Sequence, residues 1–181
     1  MQNRTYRRIW PVFIILAIAV LLIYYTQQPD EVYGNDRASI VKVIHTIEGY
    51  EKKSIEILDI KDIGKQRLVG FLSDNQPGYM RFTRNPEGNY EWDHIEVDRQ
   101  DSFHMFLPVT SHQTEQMMFV MNHHNEVANM TVDINGQQQE LKFPANQDAV
   151  KWIELPESSD GSYSFQHYKY YDKDGKQLED L

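Results

Sequence analysis

The stretch ANMTVDINGQQQELKF, Ala128–Phe143, decides the class of this chain. Ala128, Met130, Val132 and Ile134 recur at every second position, with Asn129, Thr131 and Asp133 between them. That is the alternation of a half-buried strand. Asn135-Gly136 follows, and both residues accept the positive φ that a two-residue hairpin turn requires. A turn there pairs Val132 with Gln139, Met130 with Leu141 and Ala128 with Phe143. The apolar partners then meet on one face, so turn chemistry and hydrophobic pattern specify the same register.

The same grammar continues on both sides. MMFVM, Met117–Met121, reads as a buried strand, and AVKWIEL as another, ended by Pro156. SYSFQHYKYY is a long aromatic strand, and DKDGKQL returns it in a hairpin turned at Asp174-Gly175, with Tyr171 opposite Leu178. Simple alternation places Tyr163, Phe165 and Tyr171 on one face of that strand and Tyr168 and Tyr170 on the other. Six or so strands at this spacing, closed by a tyrosine-rich strand and a DG hairpin, resemble a small immunoglobulin-like sandwich without its disulfide, since the chain has no cysteine.

Upstream, Asn35 or Asp36 can cap a helix whose Ile40, Val43, Ile44 and Ile47 form one apolar stripe, with Gly49 able to end it. Period two then takes over. SIEILDI alternates, and QRLVGFL is a continuous apolar run expected to be covered on both faces. In YMRFTR, Met80 and Phe82 face one way and Tyr79 and Arg81 the other. In NYEWDHIEV the apolar phase slips near Asp93–His94, which implies a bulge or a strand covered twice. The turn clusters SDNQPG and NPEG separate these strands into a four-stranded antiparallel meander.

The first 25 residues hold Arg4, Arg7 and Arg8 and no acid, while the remainder carries 15 basic and 27 acidic side chains. The net charge of the remainder is about −12, a field that repels nucleic acid and anionic headgroups and argues against a nucleic-acid partner. Ile9 to Tyr25 contains no charged residue. As a helix it spans about 25 Å, and the uncharged run to Pro29 about 30 Å, close to the hydrocarbon thickness of a bilayer. Arg7 and Arg8 precede it, Trp10 stands at one end, and Tyr24 and Tyr25 at the other, where amphipathic rings favour the interface. Asp30, Glu31 and Asp36 follow. This asymmetry predicts a cytoplasmic N-terminus and an extracytoplasmic body. Peptidase cleavage needs small residues just beyond the apolar run, but Tyr24, Tyr25 and Gln27 stand there. An uncleaved anchor is expected. Ala17 and Ala19 are two apart and form no small-xxx-small dimer motif.

The expected organisation is a tail over 1–8, a transmembrane helix over 9–25 and a linker over 26–34. An α+β subdomain over 35–110 (helix then four-stranded sheet) and a small β-sandwich-like subdomain over 111–181 complete a mainly-β body. This layout resembles single-pass, membrane-anchored extracytoplasmic proteins of Gram-positive bacteria. The resemblance lies in the order of parts, and it implies a location and no active residues.

Candidate chemistry is sparse. His123-His124 would point to opposite faces of a strand but could converge in a loop, so they are weak metal candidates. His94, His104 and His112 precede them, and no HxH or HxxxH pair fixes two on one face. Asp172 and Asp174 begin like a calcium loop, yet Gly175 follows directly and an ordinary hairpin explains the stretch. Glu91, Asp93, Glu96 and Asp98 supply carboxylates along one strand, with Glu91 and Asp93 about 7 Å apart on one face. No nucleophile elbow, S-x-x-K or phosphate loop occurs. No catalytic residue and no cofactor is therefore assigned. The leading expectation is a non-catalytic, membrane-tethered binding or accessory module that engages another envelope protein through Tyr168 and Tyr170. The alternative is an envelope hydrolase acting on wall polymer through these carboxylates or a histidine-bound metal.

Overall fold

The structure is a computed structural model that describes residues 14–19, 32–99, 101–109, 116–156, 158 and 162–179. Residues 14–19 are helical. Among the described residues no helix is long and apolar enough to cross a membrane. The rest of the expected anchor, including Arg7, Arg8, Trp10, Tyr24 and Tyr25, lies outside the described residues. From Val32 onward the chain is one compact unit, mainly β and antiparallel.

The unit begins with helix α1, Arg37–His45. Asp36 caps it: its carboxylate accepts from Ser39 N–H at 2.8 Å, and the Ser39 hydroxyl accepts from Asp36 N–H at 2.8 Å. Ile40, Val43 and Ile44 are buried, as their spacing requires. The helix stops at the Thr46 cap, short of Gly49, whose φ of +87° serves the turn beyond.

Strands β1 (Ile55–Ile63), β2 (Gln66–Ser73), β3 (Gln76–Arg84) and β4 (Tyr90–Val97) form the expected meander in sequence order. Its two faces bury different residues. Ile57, Val69, Phe71, Met80 and Phe82 pack against α1. Leu72 and Tyr79 point the other way, with Leu58. The expected phase slip is a bulge: Arg81 pairs with His94 and Phe82 with Trp92, leaving Asp93 as the extra residue.

A second sheet, ordered β5 (Phe103–Phe106), β6 (Gln116–Met121), β9 (Ala149–Glu154), lies against that face. Phe106, Met118, Val120, Val150 and Trp152 meet Leu72 and Tyr79. The opposite side of this middle sheet presents Phe103, Met117, Phe119 and Met121 to a third sheet. The third sheet is ordered β11 (Gln177–Leu178), β10 (Phe165–Tyr171), β7 (Asn129–Ile134), β8 (Gln137–Lys142). The layers are therefore helix, meander, middle sheet and outer sheet. The division expected between residues 110 and 111 falls inside the middle sheet, between β5 and β6, which pair from Phe103↔Met121 to Phe106↔Met118.

The β7–β8 hairpin has the register read from the sequence. Val132 pairs with Gln139 and Met130 with Leu141, and Phe143 N–H donates to Ala128 O at 2.8 Å. Asn135 and Gly136 take φ of 51° and 79°.

Two contacts fix the layers at particular places. Gly70 lies where the middle sheet comes close to the backbone of β2: a Cβ there would sit 2.5 Å from Val150 Cγ2. Arg67 fixes the entry of the chain. Its guanidinium grips Asp62 through two bonds of 2.7 and 2.8 Å, donates to Gly34 O and Asn35 O, and lies 3.9 Å from the centre of the Tyr90 ring. The bonds from Arg67 hold the Asp62 carboxyl below its ordinary value.

Two outcomes follow. Gly70→Ala forces Val150 to move and lowers stability by about 1–3 kcal/mol. Urea unfolding of Gly70→Ala, Val150→Ala and the double variant checks this. The double variant should lose less than the sum of the singles, and a neutral Gly70→Ala contradicts the contact. The second concerns pH. Because the Asp62 value is lowered in the folded state, its contribution is present above the unfolded value and is lost as pH falls through the folded one. The carboxylate is 43 % exposed, so the effect is modest. Asp62→Asn should be less stable than wild type near neutrality and show a shallower loss below about pH 4. Parallel pH profiles of unfolding midpoint contradict that role.

Candidate functional site

One end of the unit gathers the loops. The β2–β3 turn at Asp74-Asn75, the β4–β5 loop, the β6–β7 loop and the loop before β9 are tied there by hydrogen bonds. Asn122 N–H donates to Ser102 O at 2.9 Å, and its side-chain amide donates to Asn75 O at 2.7 Å. Asn125, fully buried, donates from Nδ2 to Val127 O at 3.1 Å and accepts from Val127 N–H at 2.9 Å. Its backbone oxygen accepts from both Asn146 N–H and Asn146 Nδ2, at 2.7 and 3.2 Å. A buried amide left unpaired costs about 1–3 kcal/mol, so these asparagines hold the loop in one conformation.

That loop presents His123 and His124, both exposed, with ring centres 4.2 Å apart. The loop sets the two rings side by side. His123 is turned to Asp148, which accepts from its backbone N–H at 2.6 Å and lies 3.1 Å from Nδ1. Among the described residues the two histidines join no set of three metal-type ligands.

A different set does converge. Asp98 follows β4, Asp101 lies in the β4–β5 loop, and His104 is in β5. One ligand atom from each lies within 4.8 Å of the others. His104 Nδ1 is 3.1 Å from Asp98 Oδ2, which also accepts from Asp101 N–H at 3.1 Å. The His104 ring rests against Phe106 at 4.7 Å. The signal in the sequence was D-x-x-D-x-x-H in DRQDSFH, spread over a strand end, a loop and a strand start. No regular helix or strand period brings those positions together, so it passes for a polar connection.

The tyrosine strand needs a correction. His167 has φ +56°, and the β10–β7 register shifts between Gln166 and Lys169. This bulge moves the phase by one residue. Tyr170 therefore packs on the core side with Tyr163 and Phe165, its ring 6.1 Å from Phe103. Tyr171 pairs with Asn129 instead of sharing their face. Tyr168 stacks on Tyr170 with ring centres 6.3 Å apart and remains 38 % exposed. Burial above all, then Tyr168 and the Asp101 carboxylate, pushes the Tyr170 phenol up. Tyr168, Tyr170 and Phe103 thus belong to one neighbourhood.

The DG hairpin is also one residue off the expected pairing. Asp172 N–H donates to Lys176 O, so Tyr170 faces Leu178 and Tyr171 faces Gln177. Three residues turn the chain, with Gly175 at φ +80°. Asp172 Oδ1 accepts from Asp174 and Lys176 N–H, which accounts for that carboxylate as a turn cap.

The carboxylates of β4 are engaged by their own sheet. Asp93 takes Arg81 Nε and Thr83 Oγ1, each at 2.6 Å. Glu91 accepts from Asn85 Nδ2 at 2.7 Å, and Glu96 lies 3.6 Å from His94 Nε2. Two open hollows are lined by charged groups, one by Gly49, Lys53 and Asp74 and the other by Lys65, Arg84 and Asn85. Comparison of the chain with family models, with curated proteins and with solved structures finds no match.

Proposed function

We propose that the chain is a membrane-tethered, extracytoplasmic binding module that engages another envelope protein without catalysing a reaction. The observation that carries this reading is the asparagine-locked loop end. Asn122 and Asn125 are buried, and their amides shape a surface loop. A loop fixed before contact loses little entropy on binding, which is what recognition by a rigid surface needs. On β10, Tyr168 offers an exposed ring stacked on Tyr170, which is partly buried and packs against the core.

The tether rests on the sequence: three arginines, an apolar run over 9–25 and an acidic body. An immunoglobulin-like arrangement of the middle and outer sheets belongs to the same reading. Two antiparallel sheets sharing one core support it. The hydrolase alternative has less support, because Asp93 and Glu91 are held by Arg81, Thr83 and Asn85 on a solvated strand.

Photo-crosslinking in intact cells tests the proposal. A crosslinking residue at Tyr168 of the full chain should give a discrete adduct in the membrane fraction. One at Lys65, on the turn at the other end of β2, should not. Tyr168→Ser should reduce capture of the same partner with an unfolding midpoint near wild type, whereas Tyr170→Ser should lower the midpoint. Equal adducts at both positions, or none at Tyr168, overturn the docking surface. Release of the chain into the medium overturns the tether.

A further inference from the structure

We propose that Asp98, Asp101 and His104 bind one divalent first-row transition-metal ion. This goes beyond the docking surface and does not depend on it. The three ligand atoms lie within 4.8 Å of one another. Donors sharing an ion at about 2.1 Å stand up to about 4 Å apart, so small side-chain rotations complete the site.

The geometry is held from outside the cluster. Asp98 N–H donates to Pro77 O at 2.9 Å, which fixes the end of β4 against β3. His104 is anchored in β5, where it pairs with Val120, and its ring rests on Phe106. Ser102, between the two aspartates and the histidine, is held by Asn122 N–H. The three ligands therefore arrive from a strand end, a loop and a strand, each fixed by a different neighbour.

The donor set selects the class of ion. An imidazole with two carboxylates suits zinc, manganese or iron(II), whereas calcium takes six to eight oxygens. The group is no acidic patch, since one of its three donors is a nitrogen set 3.1 Å from a carboxylate oxygen. With neutral imidazole the two carboxylates carry the charge that a divalent ion balances. Three protein ligands leave a position for water or for an oxygen of a docking partner. Phe103, between Asp101 and His104 in the chain, has its ring 6.1 Å from that of Tyr170, so the site adjoins the tyrosine stack.

Titration of the purified full chain in detergent with zinc chloride and with manganese chloride tests this. One equivalent should bind. Asp101→Asn and His104→Gln should each weaken binding by at least about tenfold while keeping the unfolding midpoint. The double variant His123→Ala/His124→Ala should bind like wild type, because that pair lies outside the cluster. His104→Ala serves as a second histidine variant should His104→Gln lower the midpoint. No stoichiometric binding of either ion overturns the site. So does binding that survives Asp101→Asn and both histidine variants, or that vanishes only with His123 and His124.

Discussion

The rest of the molecule depends on covering both faces of one strand. Met117, Phe119 and Met121 of β6 point one way and Met118 and Val120 the other, and all five are fully buried. A five-residue apolar run cannot satisfy water on either side, so it draws a sheet to each face. The meander supplies one cover and the outer sheet the second. Gly70 marks how close the first cover comes, because the space of its missing side chain is taken by Val150. Trp152, on the same face of β9, adds a polar tie: its Nε1 donates to Asp59 Oδ2 at 2.7 Å across to β1, and Lys61 lies over its ring.

This layering also builds the loop end. The strands of three sheets finish at a similar level there, so their connections become neighbours without being close in sequence. Asn75, Ser102, Asn122, Asn125 and Asn146 are drawn into one hydrogen-bonded knot. Backbone groups that the sheets leave unpaired are satisfied by amide side chains. The exposed histidines are carried by that knot, and the Asp98–Asp101–His104 cluster adjoins it through Ser102. Binding at this end would therefore use surfaces whose shape is set by the core beneath them.

Much of this architecture was legible in the residues. The Asn-Gly turn set the outer hairpin because two positive φ angles admit few other residues. The three-four spacing of isoleucine and valine marked the helix face. The phase slip at Asp93 announced a bulge because Trp92 and Ile95 cannot share a face by alternation. Other features left no such mark. His167 adopts a positive φ without being glycine or asparagine, so the slip that packs Tyr170 against the core breaks a local preference for the sake of that packing. Gly175 turned three residues instead of two, and the composition of the loop permits either. The pairing of β6 with β9 joins Met121 to Ala149 across the whole outer hairpin, a relation that no local pattern encodes. The buried asparagines read as ordinary loop residues, since their value lies in distant carbonyls.

The most direct test of this account is native-state hydrogen exchange on the folded body. The amides of Val69 and Phe71 in β2, Phe119 in β6 and Val132 in β7 should share one opening free energy and lose protection together in denaturant, because each layer is covered by the next. If the meander amides open at lower denaturant, while those of β6 and β7 stay protected, the middle sheet does not hold the body together and the account fails.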